Sequence, residues 1–153
     1  MKLALYQPDI PQNTGTLLRT AACLGVGVDI IEPCGFVFSD KHLKRAGMDY
    51  LDLAHIERLA SWPAFLDLRQ AQQGYRLVLL TTKSAETYTD FTFRPDDVLL
   101  LGSEGAGVPQ EVHDQVDARI TVPMAQGARS LNIAVAAAMV LGEALRQTKW
   151  FAV

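Results

Sequence analysis

Cysteine is scarce in this sequence: Cys23 and Cys34 are the two among 153 residues, they form no CxxC pair, and neither has a histidine at ligand spacing. That excludes a disulfide framework and leaves reduced thiols as the expectation. Histidine is equally sparse, and His42, His55 and His113 fall in no HExxH or similar pattern, so no metal is expected. Long apolar runs are missing as well. The longest stretch of low charge, "LNIAVAAAMVLG", falls well short of the roughly 20 residues that cross a bilayer. The opening "MKLALYQPDIPQ" has one positive charge and too short an apolar run for a signal peptide, so cytoplasmic residence away from membranes is expected. An excess of positive charge is also lacking. A net charge of −3 argues against a protein that coats nucleic acid through bulk charge. It leaves room for a local patch, and "SDKHLKRAG" gathers Lys41, Lys44 and Arg45 into what reads as one short helix ending at Gly47, either a solvated surface helix or a basic contact.

The familiar phosphate and nucleophile loops are absent too. No glycine precedes a lysine followed by Ser or Thr, as a P-loop needs, and there is no GxSxG elbow. A dinucleotide fingerprint should follow the first strand, whereas "GSEGAG" is GxxGxG and comes late in the chain. Glu32 stands where a ribose-binding acid would sit, but with no fingerprint ahead of it, it reads as a turn residue before Pro33.

What is present is alternation without a linker, which predicts one domain over residues 1–153. Apolar runs at 2–7, 26–33, 75–83, 96–102 and 118–124 read as strands. Between them, 13–25, 62–74, 109–116 and 130–147 read as helices, with Asn13 a candidate cap, Pro63 in a first turn, and Gly25 and Gly74 as stops. Runs that are continuously apolar and alternate with helices imply an α/β fold, a mainly parallel sheet with helices on both faces. In such sheets ligands sit beyond the carboxyl ends of the strands. Three loops there are unusual: "QPDIPQNTG", "GSEGAGVP" and "PMAQGARSLN". In the second, Gly102, Gly105 and Gly107 would allow positive φ angles and let backbone approach a flat ligand, with Glu104 placed to accept a hydrogen bond.

Taken in order, "NTGTLLR", "LLLGSEGAGVP" and "VPMAQGARSLNIAVAAAMVLGEALR" resemble the three motifs of the SPOUT-class RNA 2′-O-ribose methyltransferases. The first eighty residues resemble the TrmL-like group of small enzymes acting on the tRNA wobble nucleotide. The resemblance implies S-adenosylmethionine as cofactor without metal, tRNA as partner, a deep trefoil knot in the C-terminal part, and a homodimer through the first and last helices. Carried over by position, Leu80, Thr81, Gly102, Glu104, Gly107, Val122, Met124, Ser130 and Leu131 would hold the cofactor, and the glycine loop would be bare because adenine lies against it. Arg19, Glu104, Asn13 and Ser130 would carry the reaction, and Arg19, Lys41, Lys44 and Arg45 would meet RNA. For Arg19 two roles stay open, a base or an electrostatic clamp, and a guanidinium is a poor base. Asn13 and Asn132 each stand between a helix cap and a site role. The sequence departs from the pattern at Gly142, where relatives often carry a tyrosine before the glutamate, here Glu143. A ribosomal RNA methyltransferase, a nucleotide-binding Rossmann enzyme and a nonenzymatic RNA-binding module remain as alternatives.

Overall fold

The computed structural model describes residues 1–39, 41, 55–72 and 75–151. Within them the order is β1 (Lys2–Tyr6), α1 (Pro11–Cys23), β2 (Gly27–Ile31), β3 (Ile56–Leu59), α2 (Trp62–Ala71), β4 (Leu77–Leu80), β5 (Val98–Leu101), α3 (Gln110–Gln115), β6 (Ala118–Ile120) and α4 (Ile133–Gln147). The strands form one sheet in the order β3-β2-β1-β5-β4-β6, and every neighbouring pair is parallel.

The continuous apolar runs are explained by burial from both sides. Leu3, Leu5, Leu99 and Leu101 face the layer containing α1 and α4, while Ala4, Val98 and Leu100 face Trp62 and Phe65 of α2 and Val112 of α3. Each buried leucine contributes about 1.5–3 kcal/mol, so an alternating polar residue would be costly on either face. One strand escaped the sequence reading. β3, "IERL", is an edge strand with Glu57 exposed, and it is fixed by its register on β2, Val28 to Ile56 and Ile31 to Leu59, rather than by a hydrophobic pattern of its own.

Helix ends follow local chemistry with one correction. Asn13 is not a cap: α1 starts two residues earlier with Pro11 in its first turn, Ile10 is the capping position, and Asn13 lies inside the first turn. At the other end Gly25, at φ +66°, closes α1 as expected, with Gly25 N–H bonded to Ala22 O and Val26 N–H to Ala21 O. Asn132 is a true cap, its side chain accepting from Ala134 N at 2.9 Å and Val135 N at 3.3 Å. Lys41 is exposed. His42, Lys44, Arg45, Gly47 and Gly74 lie outside the described residues.

The amino ends of the strands are tied by opposite charges. Arg76 grips Asp97 through two bonds of 2.8 Å and lies 4.6 Å above the Phe91 ring, and Lys2 reaches Asp29 at 2.9 Å. The carboxyl ends are arranged differently. β1 and β5 are central neighbours, with β2 and β3 on one side and β4 and β6 on the other. The crevice beyond Tyr6 and Leu101 is therefore the place where the strand order reverses.

Candidate active site

Two loops leave that crevice, residues 7–10 from β1 and 102–109 from β5. The second closes on itself: Ser103 N–H bonds to Gly107 O at 3.0 Å and Gly107 N–H to Ser103 O at 2.8 Å. Gly107 adopts φ +67°, and a Cβ at Gly102 would stand 2.7 Å from the Gly107 carbonyl carbon. Gly105 has a neighbour of a different kind, since its Cβ would lie 3.1 Å from Asp9 Oδ2. The expectation that all three glycines serve positive φ angles is thus corrected: of the three, Gly107 has one. Gly102 and Gly105 are required by the loop's own closure and by Asp9. Gly107 alone combines a left-handed backbone with open space, nothing lying within 4 Å of its would-be Cβ.

Asp9 and Glu104 clasp each other across the two loops. Asp9 N–H donates to Glu104 Oε2 at 3.0 Å, and Glu104 N–H donates to Asp9 Oδ1 at 3.0 Å. Asp9 Oδ2 also accepts from Gly105 N–H and from Ser103 Oγ, each at 3.2 Å. Burial, and then contact with the Asp9 carboxyl, push the Glu104 carboxyl above its ordinary range. Hydrogen bonding to Glu104, with the loop amides and Ser103 adding to it, holds Asp9 below its own. Asn13 bonds to the Glu104 side chain, and its Oδ1 accepts from Asn132 Nδ2 at 2.9 Å. One polar chain thus runs from the cap of α4 through α1 to both loops.

This chain borders a cavity of about 530 Å³. Of the residues expected from the sequence, Leu80, Thr81, Gly102, Glu104 and Gly107 line it, as do Val122, Met124, Ser130, Leu131 and Asn13. Arg19 is not in the wall; it stands on the exposed side of α1. Glu32 has a structural partner, Arg58. Three ionisable residues of the site were missed by the sequence reading. Asp9 was passed over as turn punctuation between Pro8 and Pro11, although an acid in the first loop beyond β1 was the available signal. Lys83 and His113 also line the cavity, from separate loops and helices that no motif joins. Burial first, and then Lys83 and Arg119, hold the His113 imidazole below its usual value. Among the described residues no group of three or more His, Cys, Asp or Glu could hold a metal ion, and no helix is long and apolar enough to cross a membrane.

A parallel α/β sheet with a cavity beyond the carboxyl ends of β4, β5 and β6, bordered by the glycine loop, the loop before α4 and the start of α1, defines a class shared with known proteins. Residues 1–142 match the SpoU rRNA Methylase family, and the chain belongs to that family. Within it, the chain is 63% identical over 145 residues, 95% of its length and 90% of the relative's, to the tRNA (cytidine(34)-2′-O)-methyltransferase of Beijerinckia indica subsp. indica. It superposes with a TM-score of 0.87 and 40% identity, covering 95% of this chain and 94% of the other, on a structure described as giving insights into 2-OH methylation of C/U34 on tRNA. A TM-score of 0.87 also relates it, at 29% identity, to the SpoU methyltransferase AviRb of Streptomyces viridochromogenes in complex with AdoMet, covering 96% of this chain and 60% of that one.

Proposed function

We propose that this chain transfers the methyl group of S-adenosylmethionine to the ribose 2′-hydroxyl of the wobble nucleotide of tRNA, cytidine or modified uridine, in the cytoplasm. The observation that carries the reading is the cavity whose walls are the three motif loops. Its size suits a small organic cofactor. Leu79, Val122, Leu131 and Ala136 offer apolar walls, and the bare left-handed backbone at Gly107 lets a flat ring come close. When bound, the cofactor supplies a methyl group on sulfonium, already activated for in-line displacement.

The chain's own residues then have a limited task. Glu104, on the cavity wall and fixed by Asp9 and Asn13, is placed to accept a hydrogen bond from the ribose hydroxyl. Ser130 and Thr81 line the cavity as further hydrogen-bonding groups. Arg19, exposed on α1, acts as a clamp on the substrate's phosphate rather than as a base, and Lys41, with Lys44 and Arg45, meets tRNA phosphates. Trefoil threading of the C-terminal part belongs to the same reading. So does a homodimer through α1 and α4. The dimer is supported by an apolar stripe that the single chain leaves uncovered, with Leu131 42%, Val135 51% and Met139 40% exposed, and Gly142 continues it with nothing within 4 Å of a would-be Cβ. A second copy would cover that stripe, and the missing tyrosine would have projected from it.

The test is methyl transfer from labelled S-adenosylmethionine to tRNA from cells lacking this gene. Label on the ribose of nucleotide 34, abolished by a 2′-deoxy nucleotide there, is the expected result; label elsewhere, or no cofactor binding by calorimetry, overturns the proposal. Sedimentation at micromolar concentration should show a dimer that Met139→Lys converts to monomer, and a wild-type monomer would refute the dimer.

A further inference from the structure

We propose that Asp9 is the positioning residue of this site: it clasps the glycine loop and holds the Glu104 carboxyl in one orientation toward the cavity. The inference rests on the methyltransferase reading above and adds to it a residue that no motif assigns. The geometry is reciprocal. Asp9 gives its main-chain N–H to Glu104 Oε2, and its carboxylate takes the main-chain N–H groups of Glu104 and Gly105 together with the Ser103 hydroxyl.

The surroundings are shaped to this one side chain. A Cβ on Gly35 would lie 2.7 Å from Asp9 Cβ, and one on Gly105 would lie 3.1 Å from Asp9 Oδ2, so glycines on two neighbouring loops make its seat. Gly35 N–H also bonds to Pro8 O at 2.9 Å, fixing the main chain just before Asp9. An asparagine in this place would turn an amide N–H₂ toward the Gly105 N–H, and alanine would leave three donors without an acceptor. Two carboxyl groups in contact are unfavourable for folding alone. Here the arrangement makes Glu104 the more basic of the two and leaves it little freedom, which suits a group that must meet a hydroxyl in a set direction. Asp9 is an ionisable group hydrogen-bonded to Glu104; α1 brings Asn13 and Arg19, the cap of α4 brings Asn132, and Lys83 and His113 line the same cavity.

The test combines a carboxyl ¹³C titration of Glu104, assigned with Glu104→Gln, with single-turnover methylation at saturating tRNA and cofactor. In the wild type the Glu104 midpoint should lie above the usual carboxyl range, and in Asp9→Asn it should move toward acid. The single-turnover rate of Asp9→Asn should fall about 100-fold, the scale of a small misplacement of reacting groups. Affinity for S-adenosylhomocysteine by calorimetry should change much less than the rate. An active wild type whose Glu104 midpoint and rate are both unmoved by Asp9→Asn overturns this inference and leaves the methyltransferase reading intact. Absence of methyl transfer by the wild type overturns both. Should Asp9→Asn fail to fold, the wild-type titration decides: a Glu104 midpoint in the ordinary carboxyl range refutes the clasp.

Discussion

At the amino ends of the strands Arg76 meets Asp97 through two parallel bonds, whereas at the carboxyl ends Asp9 and Glu104, groups of the same sign, are held against each other. Both arrangements fix a loop to its neighbour, and both remove carboxyl groups from water. They differ in what each group gains. Asp97, 1% exposed, is compensated by a guanidinium and by Arg94 N–H, which makes that end a staple. Glu104 instead meets Asp9 and Asn13, and burial raises its affinity for a proton. The fold thus pairs opposite charges where β4 and β5 begin and crowds like charges just beyond β1 and β5, and the chemistry proposed above falls at the second place.

That contrast can be broken at its stable end first. Arg76→Ala leaves Asp97 buried without its cation and should cost about 3 kcal/mol in urea unfolding, while the folded fraction keeps its affinity for S-adenosylhomocysteine. A loss confined to binding would contradict the staple. Next in size, Glu104→Gln should lower single-turnover methylation about 100-fold, equivalent to about 2.7 kcal/mol, with little effect on stability at neutral pH. A variant that unfolds but retains its rate would reverse the assignment of the two ends.

The pH dependence sharpens the comparison, because the two carboxyl groups act with opposite sign. The raised Glu104 value contributes stability that is complete below the unfolded carboxyl value of about 4.3 and is lost as pH rises through the folded value. Glu104→Gln should therefore gain on the wild type as pH rises. Asp9, held low, contributes above its unfolded value of about 3.9 and loses that contribution as pH falls through the folded value. Asp9→Asn should accordingly be at its greatest disadvantage near neutrality. Parallel urea series from pH 3 to 8 check both, and curves that run together would refute the pairing. The smallest effect is expected from Asn132→Ala, which removes a cap worth about 1 kcal/mol and frees Asn13; melting temperature and methylation rate should fall together, modestly.

The sequence by itself determined the layered fold. Its runs "LVLL" and "VLLL" cannot be half-solvated strands, since every position would then place leucine in water on one face, so helices must cover both sides. It also determined where the cavity lies, because loops rich in turn residues fall at the carboxyl ends and Gly25 and Asn132 mark helix limits through local backbone chemistry. Tertiary structure decided what local signals could not contain. β3 exists because β2 offers it an edge, and Asn13 left the capping position because Pro11 begins the helix earlier. Asp9 joined the site for the same kind of reason: 95 residues separate it from Glu104, and only the adjacency of β1 and β5 in the sheet brings the two within hydrogen-bonding distance. Periodicity and turn chemistry act over a few residues, whereas a contact between distant loops is set by which strands lie side by side.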